Sequence, residues 1–493
     1  MATQGAATPG FVSRAPRLGF VGGFDGVRGI GILMVLFNHA YSDLSPSFAG
    51  IIDVFFVMSA FLIVTLLMQE YRDRDGIDMR KFYARRAVRL LPSAYLCLVA
   101  WIVFCLLFDR ERLVWVLQDA AAAVTYIYNL VFPVGLASVA PEVAAERSID
   151  QFWSLAVEEQ FYLVIAATVL VCLKKRWMVQ LAIGLCILAA WIGWQRWTGH
   201  TGPINGGMPT DSSIPARGIS LLWLSRYDSL MWGVGLAVLN AHLPDPLPKV
   251  WKRWLPIAGV IGLVIAGVSM LMASVFLRDT AGKLGLPYPY VPMAVPPEFA
   301  DAYDGKVWVQ YGHTLTALAF MPAMLAMARY GGWWANRALS WKPLRFLGRM
   351  SYTVYVWHTF FYFVVLDALG GDEVLGEKWR APILAAIAVV ASLPIFYGVE
   401  QRMLRVKLRF AAEKEVLDLN TGKMISVEAA LATGHGTVSA EAVEGTEAEA
   451  SRVTEAEASR VTEAEASRVT EAEASPVTEP ESSASVDTES DRQ

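Results

Sequence analysis

Runs of mostly apolar residues, each close to the ~20 that a helix needs to cross a bilayer, recur along this chain. They lie near positions 27–45, 50–69, 90–108, 154–173, 177–195, 227–242, 255–276, 308–328, 350–369 and 382–401. The 493 residues are 55% hydrophobic and 18% charged, and because the apolar residues come in these blocks they point to a bilayer and not to a soluble core. The expected fold class is all-α and integral to a membrane, a bundle of about ten transmembrane helices followed by a disordered C-terminal tail.

Positive charge orients the bundle. With the N-terminus in the cytoplasm, the loops on that side collect Arg72 to Arg89, Lys174-Lys175-Arg176, Lys249 to Arg253, Arg337 to Arg349 and Arg402 to Arg409, as the positive-inside rule requires. A further apolar stretch, 114–135, would throw every later cluster outside if it crossed, so it reads as a re-entrant or interfacial helix on the outer side. The chain is thus expected in the cell membrane, multi-pass, with both termini cytoplasmic. The first two dozen residues lack an apolar core ending in a small-residue cleavage site, so no removable signal peptide is expected.

The net charge of -4 combines an arginine-rich membrane region with an acidic tail, and no basic arm or stripe suggests a nucleic-acid partner. Cys97, Cys105, Cys172 and Cys186 sit within apolar runs without CxxC spacing, which reads as buried thiols with neither disulfide nor metal. Three segments follow: a short cytoplasmic start (1–20), a membrane domain (21–410) and an acidic tail (411–493). From Thr446 the tail repeats an eight-residue unit, Thr-Glu-Ala-Glu-Ala-Ser-Arg-Val. At ~100° per residue such a repeat turns its valine by ~80° per unit, so no apolar stripe forms and a solvated segment is expected.

The chemistry is carried by polar residues inside the runs. Arg28 and His39 lie eleven apart in the first, which brings them to within ~20° of one direction and ~16 Å apart along a helix. An arginine at the cytoplasmic lip is by itself a topology signal. A histidine deep in a span faces a cavity, a partner or a pathway. Asp53 opens the second span, where it is either an acid favoured by the helix dipole or a partner for His39 across the hairpin. Arg86 and Arg89, three apart, share a helix face on the cytoplasmic side, and guanidinium forks suit phosphates; alone they read first as a positive-inside cluster for membrane-lipid headgroups. Glu158 and Glu159 stand near the outer end of the next span. Adjacent residues diverge by ~100°, so only one of them can face a given cavity. Arg226, Asp228, Tyr355, His358 and Glu400 complete the set of candidate site residues.

In order along residues 20–410, these pieces resemble the acyltransferase-3 family, the O-antigen-acetylase-like membrane O-acyltransferases. The matching segments are Asp25-Gly26-Val27-Arg28-Gly29 with His39, Asp53-Val54-Phe55-Phe56-Val57-Met58-Ser59-Ala60-Phe61-Leu62-Ile63, Arg85-Arg86-Ala87-Val88-Arg89 with Pro92, Trp153-Ser154-Leu155-Ala156-Val157-Glu158-Glu159-Gln160-Phe161-Tyr162, and Ser351-Tyr352 through Tyr355 to His358. Ala60 stands where the family more often has glycine, and Gln401-Arg402 follows Glu400 where a proline is common. The resemblance implies that Arg28 and His39 are the required pair, that Arg86 and Arg89 belong to the cytoplasmic arginine motif, and that Glu400 is the late acidic residue. It further implies acyl-CoA, most simply acetyl-CoA, as a donor substrate with no permanently bound cofactor. The implied acceptor is a hydroxyl of a carbohydrate, a glycolipid or a macrolide-like metabolite. His39 then serves as general base or as a transient acyl carrier. A proton-coupled transporter using His39, Asp53 and His358 as a relay is the rival reading, against which no repeat relates the two halves. Whether the chain forms a homodimer is left open.

Overall fold

The computed structural model describes residues 13–40, 46–131, 148–198, 226–272, 300–369 and 375–408, with three short strands beyond them. Expectations for residues 1–12, for the ends of three apolar runs (41–45, 132–135 and 273–276), and for the repeat tail from 440 onward lie outside the described residues.

The described chain is helical through the whole membrane region. Its elements are α1 (Gly22–Ala40), a 3-10 turn (Pro46–Ala49), α2 (Gly50–Arg74), α3 (Met79–Phe108), α4 (Leu113–Val124) and α5 (Tyr128–Val131). They continue with α6 (Phe152–Lys175), α7 (Met178–Thr198), α8 (Tyr227–His242), α9 (Lys249–Leu271), α10 (Ala300–Arg329) and α11 (Trp334–Leu339). Last come α12 (Lys342–Leu369), α13 (Glu377–Ile395), a π-helical turn (Phe396–Glu400) and α14 (Gln401–Leu408).

The described part of each apolar run lies in helical chain, the last run passing from α13 through the π-helical turn into α14. Among the described residues, seven segments are long and apolar enough by themselves to cross a membrane, those on α2, α3, α6, α7, α9, α12 and α13–α14, which makes this a multi-pass membrane protein. The remaining three runs fall on α1, α8 and α10: α8 has only 16 residues, and α1 carries Asp25, Arg28, Asn38 and His39.

Burial sorts the helices. In α2 the apolar residues run all the way round, the pattern of a helix enclosed on every side, and Val57, Ala60, Phe61 and Val64 are fully buried. Helices α3, α6, α7 and α9 expose Val99, Leu107, Leu163, Val164, Ile187 and Val264 outward, a surface suited to hydrocarbon and not to water. Helix α1 packs along α12, α2 along α8, and α9 along α10. Glycines bring α1 close to both α11 and α12: a Cβ on Gly26 would strike the carbonyl of Leu339 at the end of α11, one on Gly29 the Leu344 carbonyl of α12 and one on Gly348 of α12 the Asp25 carbonyl.

Two local features depart from the sequence reading. Within the stretch expected as one helix, the described residues 114–131 are not continuous, because the chain breaks after Val124 and Tyr126 takes a left-handed backbone with φ 55°. The tip of this break is tied to the middle of α6, where the Gln160 amide donates to the Tyr126 carbonyl (2.5 Å) and to Asn129 Oδ1 (2.9 Å). The tail, expected to be without structure from residue 411, contains the strands β1 (Glu415–Asp418), β2 (Met424–Ser426) and β3 (Thr437–Ser439), antiparallel in the order β2-β1-β3. Short apolar and β-branched pieces such as Val416-Leu417 and Met424-Ile425 precede the acidic repeat and suit strand pairing, a local signal that the composition of the whole tail hides.

Candidate functional site

Two groups of polar side chains meet inside the bundle, at different depths along α1. At the C-terminal end of α1 His39 is exposed, while its neighbour His358, on α12, is buried completely. His39 Nδ1 lies 2.7 Å from His358 Nε2, with the ring planes 15° apart and the centroids separated by 4.8 Å. The centroid separation exceeds the nitrogen contact by about two ring radii, so the rings meet nitrogen to nitrogen and nearly coplanar, as an in-plane hydrogen bond demands. His358 Nδ1 in turn lies 2.6 Å from the Tyr355 carbonyl oxygen.

The start of α6 is stapled to the same stretch of α12. Ser154 Oγ and Tyr355 Oη are 2.6 Å apart, the Tyr355 hydroxyl also donates to the Gln151 carbonyl (3.1 Å), and Gln151 Nε2 donates to the Val356 carbonyl (3.0 Å). Asp150, immediately before these residues, is exposed and lies within electrostatic reach of His39.

This staple decides where the two glutamates go. Ser154 is level with Tyr355, three residues before His358, so Glu158 sits a further turn, ~6 Å, towards the Arg28 end of α1. There it joins the arginines and not His39. Arg28, held to Asp25 at 3.3 Å, together with Arg86 and Arg89, surrounds Glu158 within electrostatic range, and Glu158 hydrogen-bonds Ser59. Arg86 lies 4.9 Å from the Tyr162 ring centroid, and the Tyr162 hydroxyl is hydrogen-bonded to Ser59. Glu159 diverges as the helical spacing requires: Arg86 and Glu158 act on it, and its Oε1 is buried without a hydrogen bond among the described residues. Glu400 closes this cluster from the π-helical turn that follows Pro394; its carboxylate accepts from Thr353 and lies near Arg89. Arg86 and Arg89 are not on a separate turn, because α3 runs unbroken from Met79 through Pro92.

Asp53 is not the partner of His39. Its carboxylate is fully buried and accepts from Ser229 Oγ (2.8 Å), with His313 Nδ1 2.6 Å and Arg226 3.7 Å away. Arg226 also donates to the Ala49 carbonyl (2.8 Å) and lies 4.7 Å from the Trp153 ring centroid. Beside it, Asp228 is paired with Arg196 at 2.8 Å, and Arg196 donates to Thr314 (3.0 Å). Asp53, Arg226 and Asp228 therefore form an enclosed network with His313, Arg196, Ser229 and Thr314. His313 and Arg196 were not singled out from the sequence. The rule that marked His39, an ionisable residue within an apolar run, applies to His313 in the 308–328 run, and Arg196 stands one residue past the 177–195 run. Asp150 adjoins the Gln151 motif but lies in no apolar run.

The membrane-embedded helical bundle thus carries an accessible histidine at one end of α1 and an arginine cluster towards the other. The chain belongs to the acyltransferase-3 family, matching its acyltransferase domain over residues 21–400. It is similar to the peptidoglycan O-acetyltransferase OatA of Listeria monocytogenes, 26% identical over 382 residues that cover 76% of this chain and 54% of that protein. It is also similar to the putative peptidoglycan O-acetyltransferase YrhL of Bacillus subtilis, 27% identical over 346 residues, 69% of this chain and 48% of that protein. The O-acetyltransferase OatA of Staphylococcus aureus is 28% identical over 353 residues, 69% of this chain and 50% of that protein. The chain thus spans about half the length of the curated relatives it matches. No solved structure matches it.

Proposed function

We propose that this protein is a membrane O-acetyltransferase that moves an acetyl group from cytoplasmic acetyl-CoA to a hydroxyl of a cell-envelope carbohydrate. The observation that carries the reading is the layout of α1: Arg28 near one end among Arg86 and Arg89, and the exposed His39 at the other, ~16 Å away along the helix. In this reading the arginines receive the phosphates of the donor, and its extended pantetheine arm carries the thioester towards His39. A hydroxyl is a poor nucleophile until a base removes its proton, a role worth about 10²–10⁴-fold. His39 takes the acceptor's proton as its oxygen attacks the thioester carbonyl, and returns it to the departing thiolate.

A route through an acyl-histidine uses the same residue and delivers a cytoplasmic donor's group to an acceptor on the outer side. The names of the relatives support a glycan such as peptidoglycan as the acceptor class. Both termini lie in the cytoplasm, which puts the basic loops and the arginine cluster on the donor's side. Nothing among these relatives supports the transporter reading.

The test is transfer from radiolabelled acetyl-CoA into envelope glycans and lipids of membrane vesicles, comparing wild type with His39→Ala at equal membrane abundance. Incorporation that falls by about 10²-fold or more in the variant supports the reading, and the labelled fraction reports the acceptor. Equal incorporation by both proteins sinks the role given to His39.

A further inference from the structure

Resting on that reading, we infer that His358 is a positioning residue that holds His39 in the Nδ1–H tautomer, so that His39 Nε2 is the nitrogen that meets the reacting groups. A carbonyl oxygen only accepts, so the 2.6 Å contact with the Tyr355 carbonyl requires the proton of His358 to be on Nδ1. A neutral His358 then has a bare Nε2, which can only accept. The 2.7 Å bond to it must therefore be donated by His39 Nδ1–H, and the lone pair of His39 is left on Nε2.

The arrangement is held from several sides. His358 is completely buried and cannot turn to water, whereas His39 is exposed. Tyr355, the origin of the carbonyl, is fastened through its hydroxyl to Ser154 and Gln151. One turn beyond His358, the Tyr362 hydroxyl donates to the Leu36 carbonyl of α1 (3.1 Å), which fixes the two helices against each other beside the histidine pair.

The consequence for the reaction is specific to an atom. The acceptor's O–H proton passes to His39 Nε2, the oxygen's electron pair forms the new bond to the thioester carbon, the C–S bond breaks, and the thiolate takes the proton back from Nε2. While His39 carries both protons, its Nδ1–H bond to His358 becomes charge-assisted and so stronger. The tautomer control resembles that of a hydrolase triad, where its loss costs up to ~10⁴ in kcat. The same Nε2 is the nucleophile in the acyl-histidine route.

The proposal is tested by comparing His358→Phe with His358→Gln at equal amounts of folded protein in vesicles. Phenylalanine removes the acceptor but keeps the ring; kcat is expected to fall by about 10²-fold or more, with KM for acetyl-CoA unchanged. Glutamine offers an amide oxygen near the former Nε2 and is expected to restore kcat to within about tenfold of wild type, since it supplies the same hydrogen bond. Glutamine no better than phenylalanine, or phenylalanine equal to wild type, overturns the proposal while His39-dependent transfer by wild type leaves the functional reading standing. No transfer by wild type overturns both. Independently of any variant at position 358, ¹⁵N-histidine spectra of the wild-type protein, assigned by comparison with His39→Ala, read the tautomer directly. A bare Nε2 on His39 agrees with the proposal and a bare Nδ1 overturns it.

Discussion

Asp53 illustrates what a single buried charge does in this protein. Its carboxylate faces Ser229, His313 and Arg226 at once, with the Arg196–Asp228 pair alongside. Through Arg226 the network touches Trp153, the residue before Ser154, and so supports the start of α6 near the histidine pair without entering it. Removing one member of a buried charge network leaves its partners uncompensated and costs about 3–5 kcal/mol. Asp53→Ala is therefore expected to lower the thermal midpoint of the detergent-solubilised protein substantially. A midpoint equal to wild type would show that Arg226 and His313 find other partners.

At the scale of elements, the proposed mechanism requires α1 to lie close to α12. Each histidine belongs to one of these helices, and a hydrogen bond of 2.7 Å tolerates little separation. Gly348→Ala would put a methyl group against the Asp25 carbonyl, force the helices apart and lengthen that bond, so both acetyl transfer and thermal stability are expected to fall. The control is Gly267→Ala on α9, where no atom lies within 4 Å of the added Cβ. There the helix propensity of alanine should stabilise by up to ~1 kcal/mol with transfer unchanged. The α4–α5 break follows the same logic of local ties. Gln160 holds it by its side-chain amide, and the Tyr227 hydroxyl, which accepts from Asn129 and donates to Gln160 Oε1, extends the knot to α8.

At the scale of the whole molecule, the proposed function requires the arginine end of the bundle to face the cytoplasm. The repeat tail supplies a direct assay, since Arg452, Arg460 and Arg468 recur at its eight-residue period and each is a tryptic site. With the C-terminus in the cytoplasm, trypsin added to intact spheroplasts should leave a C-terminal epitope in place, and trypsin added to inverted vesicles should remove it. The opposite pattern would reverse the bundle and place Arg28, Arg86 and Arg89 on the side away from cytoplasmic acetyl-CoA.

What the sequence determined by itself is local and periodic. The apolar runs mark where the helices lie, because a helix in hydrocarbon must satisfy its own backbone and present apolar side chains around it. The eleven-residue spacing places Arg28 and His39 on one face of α1, because helical rotation depends only on residue number. The divergence of Glu158 from Glu159 follows from the same rule, and the ordered motifs identify the family. The choice of neighbours across helices is another matter. His358 stands 319 positions from His39, and no periodicity within either helix reveals that contact. Asp53 was a plausible partner on the adjoining helix, yet the packing of α2 against α8 and α10 turns it to Ser229 and His313, and the Ser154–Tyr355 staple lowers Glu158 to the arginines. Only the tertiary structure decided these pairings, because they depend on the rotation and axial shift of one helix against another, which are set by glycine seams and buried hydrogen bonds between segments far apart in the chain.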